Sequence, residues 1–152
     1  MSIMVPLDTS EVGRSALPKA EELAKALGQS LLLVTVADDD TIHAVSELAR
    51  IEGQDPIDFL ELNLRSRARA VSVPAETDLL PGQDPASAIV DRAHQPDVDM
   101  IVMATHGRTG LSRWRLGSVA ERVVRAATVP VLVIPAPWRV KETPASMEAA
   151  EA

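Results

Sequence analysis

The residues best equipped for chemistry lie in one stretch, Met103-Ala-Thr-His106-Gly107-Arg108-Thr-Gly110-Leu-Ser-Arg113-Trp114-Arg115-Leu-Gly117-Ser118-Val119. Gly107 and Gly110 permit backbone conformations closed to other residues, and they let main-chain N–H groups come close to a ligand. Gly117-Ser118 opens a helix, where unpaired amides and the positive end of the helix dipole favour a phosphate. Arg108, Arg113 and Arg115 add local positive charge to a chain whose net charge is −7. A plainer reading of the same letters exists. Ser118-x-x-Glu121 spells a capping box, and Gly117 then only turns the chain.

Other candidates divide the same way. Asp8 stands at the end of an apolar run, a place that suits a ligand-binding carboxylate, yet Asp8-x-x-Glu11 also spells a helix cap. His106 is a proton donor by type, but a lone loop histidine is more often a surface residue. Asp38-Asp39-Asp40 suits a divalent cation, although a run of charge is usually a solvated loop end. Trp114 between two arginines is read as packing against the neighbouring helix rather than on a base.

Several chemistries are excluded outright. The chain has no cysteine, so disulfides, thiolate nucleophiles and cysteine zinc sites are absent. Its three histidines, His43, His94 and His106, show no metal-ligand spacing. The turn after the first strand lacks glycine, so the G-x-G-x-x-G fingerprint is missing, and no G-x-x-x-x-G-K-[ST] loop occurs. Neither His-x-Gly-His nor Ser-Gly-Gly-x-Asp-Ser is present, so no residue is set to activate a nucleophile or protonate a leaving group. The expectation is a binding protein, not an enzyme. Aromatics are only Phe59, Trp114 and Trp138, which removes base-stacking platforms, and the acidic balance disfavours nucleic acid and anionic membranes.

The elements that must position these residues follow from periodicity. With 152 residues, 46% of them hydrophobic, the chain is sized for one aliphatic core. Short apolar runs at Ile3–Leu7, Leu31–Ala37, Met100–Thr105 and Val131–Ile134, with a more polar one at Ala75–Leu80, read as five strands. Apolar residues from Val12 to Leu27 recur at helical spacing, with Gly28 as the stop. The segment 41–70 is helical but broken at Gly53 and Pro56, Asp84-Pro85 starts a helix running to about His94, and 118–127 is another. Strands alternating with helices predict βαβ crossovers, an α/β three-layer sandwich and a parallel sheet. Residues 136–152 turn Pro-, Ala- and Glu-rich and are expected to form a mobile tail. The opening Met1-Ser-Ile-Met-Val-Pro-Leu-Asp8 has no basic region, and no run of 18 apolar residues occurs, so a cytoplasmic location is expected.

The glycine segment resembles the signature of the universal stress protein family, G-x2-G-x9-G-[ST], which marks its nucleotide-binding members. Laid on this sequence it reads Ala104-x2-Gly107-x9-Gly117-Ser118, with Ala104 in place of the first glycine. Val5-Pro-Leu-Asp8 resembles the family's opening strand and Val129-Pro-Val-Leu-Val-Ile134 its closing one. The similarity spans residues 3 to 135, and it implies a Rossmann-like sheet of order 3-2-1-4-5, a universal stress protein domain over 1–135, and ATP with Mg²⁺ as ligand. It further implies that Pro6, Leu7 and Asp8 hold the adenine and ribose end, that Val36, Met103 and Ala104 wall the base, and that His106, Gly107, Arg108, Gly110, Gly117, Ser118 and Val119 surround the phosphates. Function is then expected to be nucleotide-dependent regulation of a stress response. The alternative is a dimeric adaptor of the same fold that binds no nucleotide. In either case a homodimer through Val131–Ile134 is expected, because this apolar outer strand carries no charge, bulge or internal proline to block pairing. A further protein partner, which the sequence does not identify, would receive the signal.

Overall fold

A computed structural model describes residues 1–8, 16–105 and 117–135 of the chain. Five strands form one sheet: β1 (Ser2–Pro6), β2 (Ser30–Val36), β3 (Ala75–Leu80), β4 (Val98–Ala104) and β5 (Val131–Ile134). Their order is β3-β2-β1-β4-β5, and every pairing is parallel. Among the described residues the helices are α1 (Ala16–Leu27), α2 (Asp39–Ile51), α3 (Pro56–Ala70), α4 (Pro85–Ala93) and α5 (Ser118–Ala126). The expected α/β sandwich and strand order are therefore present.

Strand alternation divides the core in two. Met4, Leu32, Val34, Ile101 and Met103 point to the layer of α4 and α5, against Ile89, Val90 and Val123. Ile3, Val5, Leu31, Leu33 and Val102 point to the other layer, against Ala16, Ala20 and Ala24 of α1 and Leu64 of α3. β1 and β2 are buried on both faces, as uninterrupted apolar runs require. The α1 contacts are alanines one turn apart, so the helix lies close on the sheet and no aromatic filler is needed.

Helix ends follow local chemistry, with some departures from expectation. Gly28, at φ +66°, ends α1, and the Gln29 N–H donates to the Ala24 carbonyl at 2.9 Å. The predicted break at Gly53 and Pro56 separates α2 from α3, and Asp55 caps α3 by accepting from the Ile57 N–H at 2.8 Å. α2 starts at Asp39 rather than Thr41, because Asp38 is its cap and accepts from the Thr41 N–H at 2.9 Å. The acidic run is thus a helix start, not a solvated loop end.

Asp84 occupies the cap position of α4 but makes no cap hydrogen bond to a backbone amide; both its oxygens accept from Arg122, and one also accepts from the Ser87 hydroxyl of the first turn at 3.1 Å. Ser118 is the first helical residue of α5 and Gly117 the cap, so the capping box does not form. Glu121 instead accepts from Arg125 at 2.9 Å. The expected helical start at Val12 and the tail 136–152 lie outside the described residues. No described helix is long and apolar enough to cross a membrane.

Candidate functional site

β1 is shorter than its neighbours at the carboxyl end of the sheet. Pro6 closes β1 opposite Val34, yet β2 continues to Val36. On the other side Met4 pairs with Ile101, which sets Pro6 level with Met103, and β4 continues to Ala104. The sheet therefore carries a notch where strand order reverses, the place at which open α/β sheets bind ligands. A cleft of about 790 Å³ occupies it.

Four segments form most of its walls. Pro6, Leu7 and Asp8 leave β1 along the floor, and Thr35 and Val36 of β2 form one side. Met103, Ala104 and Thr105 form the other, and Gly117, Ser118 and Val119 open α5 above them. Val36 and Met103 are buried, whereas Asp8 and Ser118 are exposed. One end of the cleft is thus apolar and the other polar. Nine of the residues expected from the sequence gather here, while His106, Gly107, Arg108 and Gly110 lie outside the described residues. The two ends of that glycine segment meet at the cleft, where the Gly117 N–H donates to the Thr105 carbonyl at 2.7 Å.

The main chain at the notch is unusually available. The Leu7 N–H donates to the Val34 carbonyl at 2.7 Å, so Val34 faces β1 with its main-chain groups. Val36, two residues on, faces the same way, past the end of β1. Among the described residues neither its N–H nor its carbonyl has a backbone partner. The carbonyl of Leu7, which the ladder would offer to the Val36 N–H, accepts instead from the Thr35 hydroxyl at 2.8 Å. At the far end, α5 begins without a side-chain cap, so its first amides are open to an anion.

Sequence reasoning raised Asp40 only within an acidic run and did not select Thr41 and His43 of α2, nor Ile89 of α4, which also line the cleft, as does Pro85 at the start of α4. No ligand-binding motif marks Thr41, His43 or Ile89. They reach the site because both helices start from the same end of the sheet. Beside the cleft Arg122 bridges α5 to Asp84, and its guanidinium hydrogen bonds hold the Asp84 carboxyl at about 2. Among the described residues no group of three His, Asp or Glu side chains is arranged to hold a metal.

A five-stranded parallel sheet of this order, with a cleft in the notch beyond β1, defines a Rossmann-like α/β protein. Residues 1–135 match the model of the universal stress protein family, and the chain belongs to that family. A universal stress protein of Methanocaldococcus jannaschii is 35% identical over 144 residues, covering 89% of this chain and 82% of its own length. The solved structure of universal stress protein UspA from Lactobacillus plantarum superposes with a TM-score of 0.70 at 27% identity, over 88% of this chain and 97% of that one. The universal stress protein of Archaeoglobus fulgidus, solved in complex with dAMP, matches with a TM-score of 0.58 at 25% identity, over 88% and 97%.

Proposed function

We propose that this chain binds an adenine nucleotide in the notch, namely ATP with Mg²⁺, and acts as a cytoplasmic nucleotide-dependent regulator in a stress response. The observation that carries the reading is Val36, a single residue whose N–H and carbonyl have no backbone partner among the described residues, beside buried apolar walls. Adenine offers the complement on its Watson–Crick edge, an acceptor at N1 and a donor at N6. Guanine offers the reverse order, so each of its groups would meet a group of its own kind. The dAMP complex of the archaeal relative supports the choice of base.

The other roles follow from the polarity of the cleft. Asp8, exposed at the end of β1, accepts from ribose hydroxyls. Phosphates lie toward the open amides of α5, with the Ser118 hydroxyl as a further donor, and Gly107, Arg108 and Gly110 belong to the segment between Thr105 and Gly117. The first motif position is Ala104, half-buried at the end of β4, so the missing glycine costs one methyl group of space. Mg²⁺ enters on the phosphates and their waters rather than in a protein cage. The protein acts by binding, not by chemistry.

A second copy completes the sheet. Leu132 is 37% exposed on the outer strand β5, and pairing with β5 of a partner buries it and satisfies the free edge. Calorimetry of the full chain with ATP, ADP and GTP decides the ligand. Heat with the adenine nucleotides and little with GTP is expected. No heat and no thermal shift with any of them would sink the reading and leave a nucleotide-free dimeric adaptor.

A further inference from the structure

β2 is aliphatic from Leu31 to Val36 except at Thr35, whose side chain is 93% buried. A valine would fill the same space without a hydroxyl to satisfy, and a buried hydroxyl is costly unless it is hydrogen-bonded. Thr35 donates to the Leu7 carbonyl at 2.8 Å. The Leu7 N–H to Val34 bond sets the phase of the β1–β2 ladder, and in that phase the Leu7 carbonyl belongs to the Val36 N–H. The Thr35 hydroxyl therefore stands in for one rung of the ladder. It ties the end of β1 to β2 and leaves the Val36 amide unspent.

We infer that Thr35 is a positioning residue: by drawing the Leu7 carbonyl onto its own hydroxyl it holds that oxygen out of line with the Val36 N–H, which stays free to read the base. The inference rests on the adenine reading above but adds a residue that touches the base only through Val36. Without the hydroxyl, the Leu7 carbonyl would lose its partner at the cleft floor, and the donor that the ladder phase offers it is the Val36 N–H. The ladder would then extend by one rung, and the site would lose its donor to the base while the phosphate end stayed intact. The chain leaving β1 at Leu7 and Asp8 keeps its anchor in both cases, so the fold does not depend on the exchange.

Titration of wild type, Thr35→Val and Thr35→Ser with ATP, GTP and inorganic tripolyphosphate tests this, together with amide hydrogen exchange at Val36. Thr35→Val is expected to lower the ratio of ATP to GTP affinity about tenfold, the worth of one hydrogen bond of this kind. Tripolyphosphate binding should be unchanged, and Thr35→Ser should restore the ratio. Without nucleotide, the Val36 amide should exchange faster than its β2 neighbours in wild type and become protected in Thr35→Val. An unchanged ATP to GTP ratio in folded Thr35→Val overturns the inference. So does a Val36 amide already as protected as Val34 in nucleotide-free wild type, a measurement that holds even if Thr35→Val fails to fold. If wild type binds neither nucleotide, the adenine reading fails, and exchange at Val36 still shows whether Thr35 frees that amide.

Discussion

Arg122, one turn into α5, holds both carboxylate oxygens of Asp84, at 2.7 and 2.6 Å, and one of those oxygens also accepts from the Ser87 hydroxyl in the first turn of α4 at 3.1 Å. The pair joins α4 to α5 beside the cleft, and a fork-to-fork geometry of this kind fixes orientation as well as distance.

Acid should undo this joint. Arg122 lowers the Asp84 carboxyl to about 2, below its ordinary value, and Arg92 lowers Asp97 in the same direction. A depressed carboxyl contributes stability that is full above its unfolded value and is lost as pH falls through the folded one. The melting temperature should therefore fall from about pH 4 toward pH 2, and Arg122→Ala should flatten part of that fall. Both groups are exposed, so high salt should shrink the difference. Equal acid limbs in wild type and variant would show that the pair does not couple to folding.

Gly117 and Ser118 should separate binding from folding. Gly117 sits at φ −62° and ψ 157°, a conformation open to any residue, and its N–H bond to Thr105 survives substitution. Gly117→Val should fold normally and lose ATP, because the new side chain occupies the space of the phosphates. Ser118 is exposed and is not the cap, so Ser118→Ala should change stability by less than about 0.5 kcal/mol while weakening ATP. Denaturant melts and calorimetry on both variants check this. Wild-type ATP affinity in a folded Gly117→Val would place the phosphates elsewhere.

The outer strand offers a cleaner test of assembly than its sequence alone suggested. The Ile101 N–H donates to the Pro130 carbonyl at 2.9 Å and the Thr105 N–H to the Ile134 carbonyl at 3.0 Å. Alternation then turns the N–H of Val133 outward, away from β4. Val133→Pro should leave the β4 ladder whole and deprive a partner strand of a donor. Light scattering at micromolar concentration should give twice 16.3 kDa for wild type and a lower mass for the variant. A wild type at 16.3 kDa would mean that the edge is covered by something other than a second copy.

Much of this protein is legible without coordinates, because the signals are local. Aliphatic runs with no polar face require strands covered on both sides, and β1 and β2 are. Glycine at a left-handed position stops α1 at Gly28, and Gly53 with Pro56 divides α2 from α3, since only backbone sterics are involved. Asp8 and Gly117 draw notice by their place at a strand end and a helix start, whereas Val36 comes only through the family resemblance; all three line the cleft. Chain direction alone puts those ends on one side of a parallel sheet.

What the sequence does not contain is the outcome of competition between groups far apart in the chain. Asp84 and Ser118 both carry the letters of a helix cap, yet Arg122 claims the first and a one-residue shift of the helix start excludes the second. Asp38, read as one acid in a charged run, becomes a cap because β2 delivers it to the first turn of α2. The register of β1 against β2 belongs to the same class. Only that register decides that the sheet ends in a notch, that Thr35 reaches the Leu7 carbonyl, and that Val36 is left with main-chain groups to offer. Local propensity sets which elements form, but which of several possible partners a hydrogen-bonding group takes is chosen by tertiary packing.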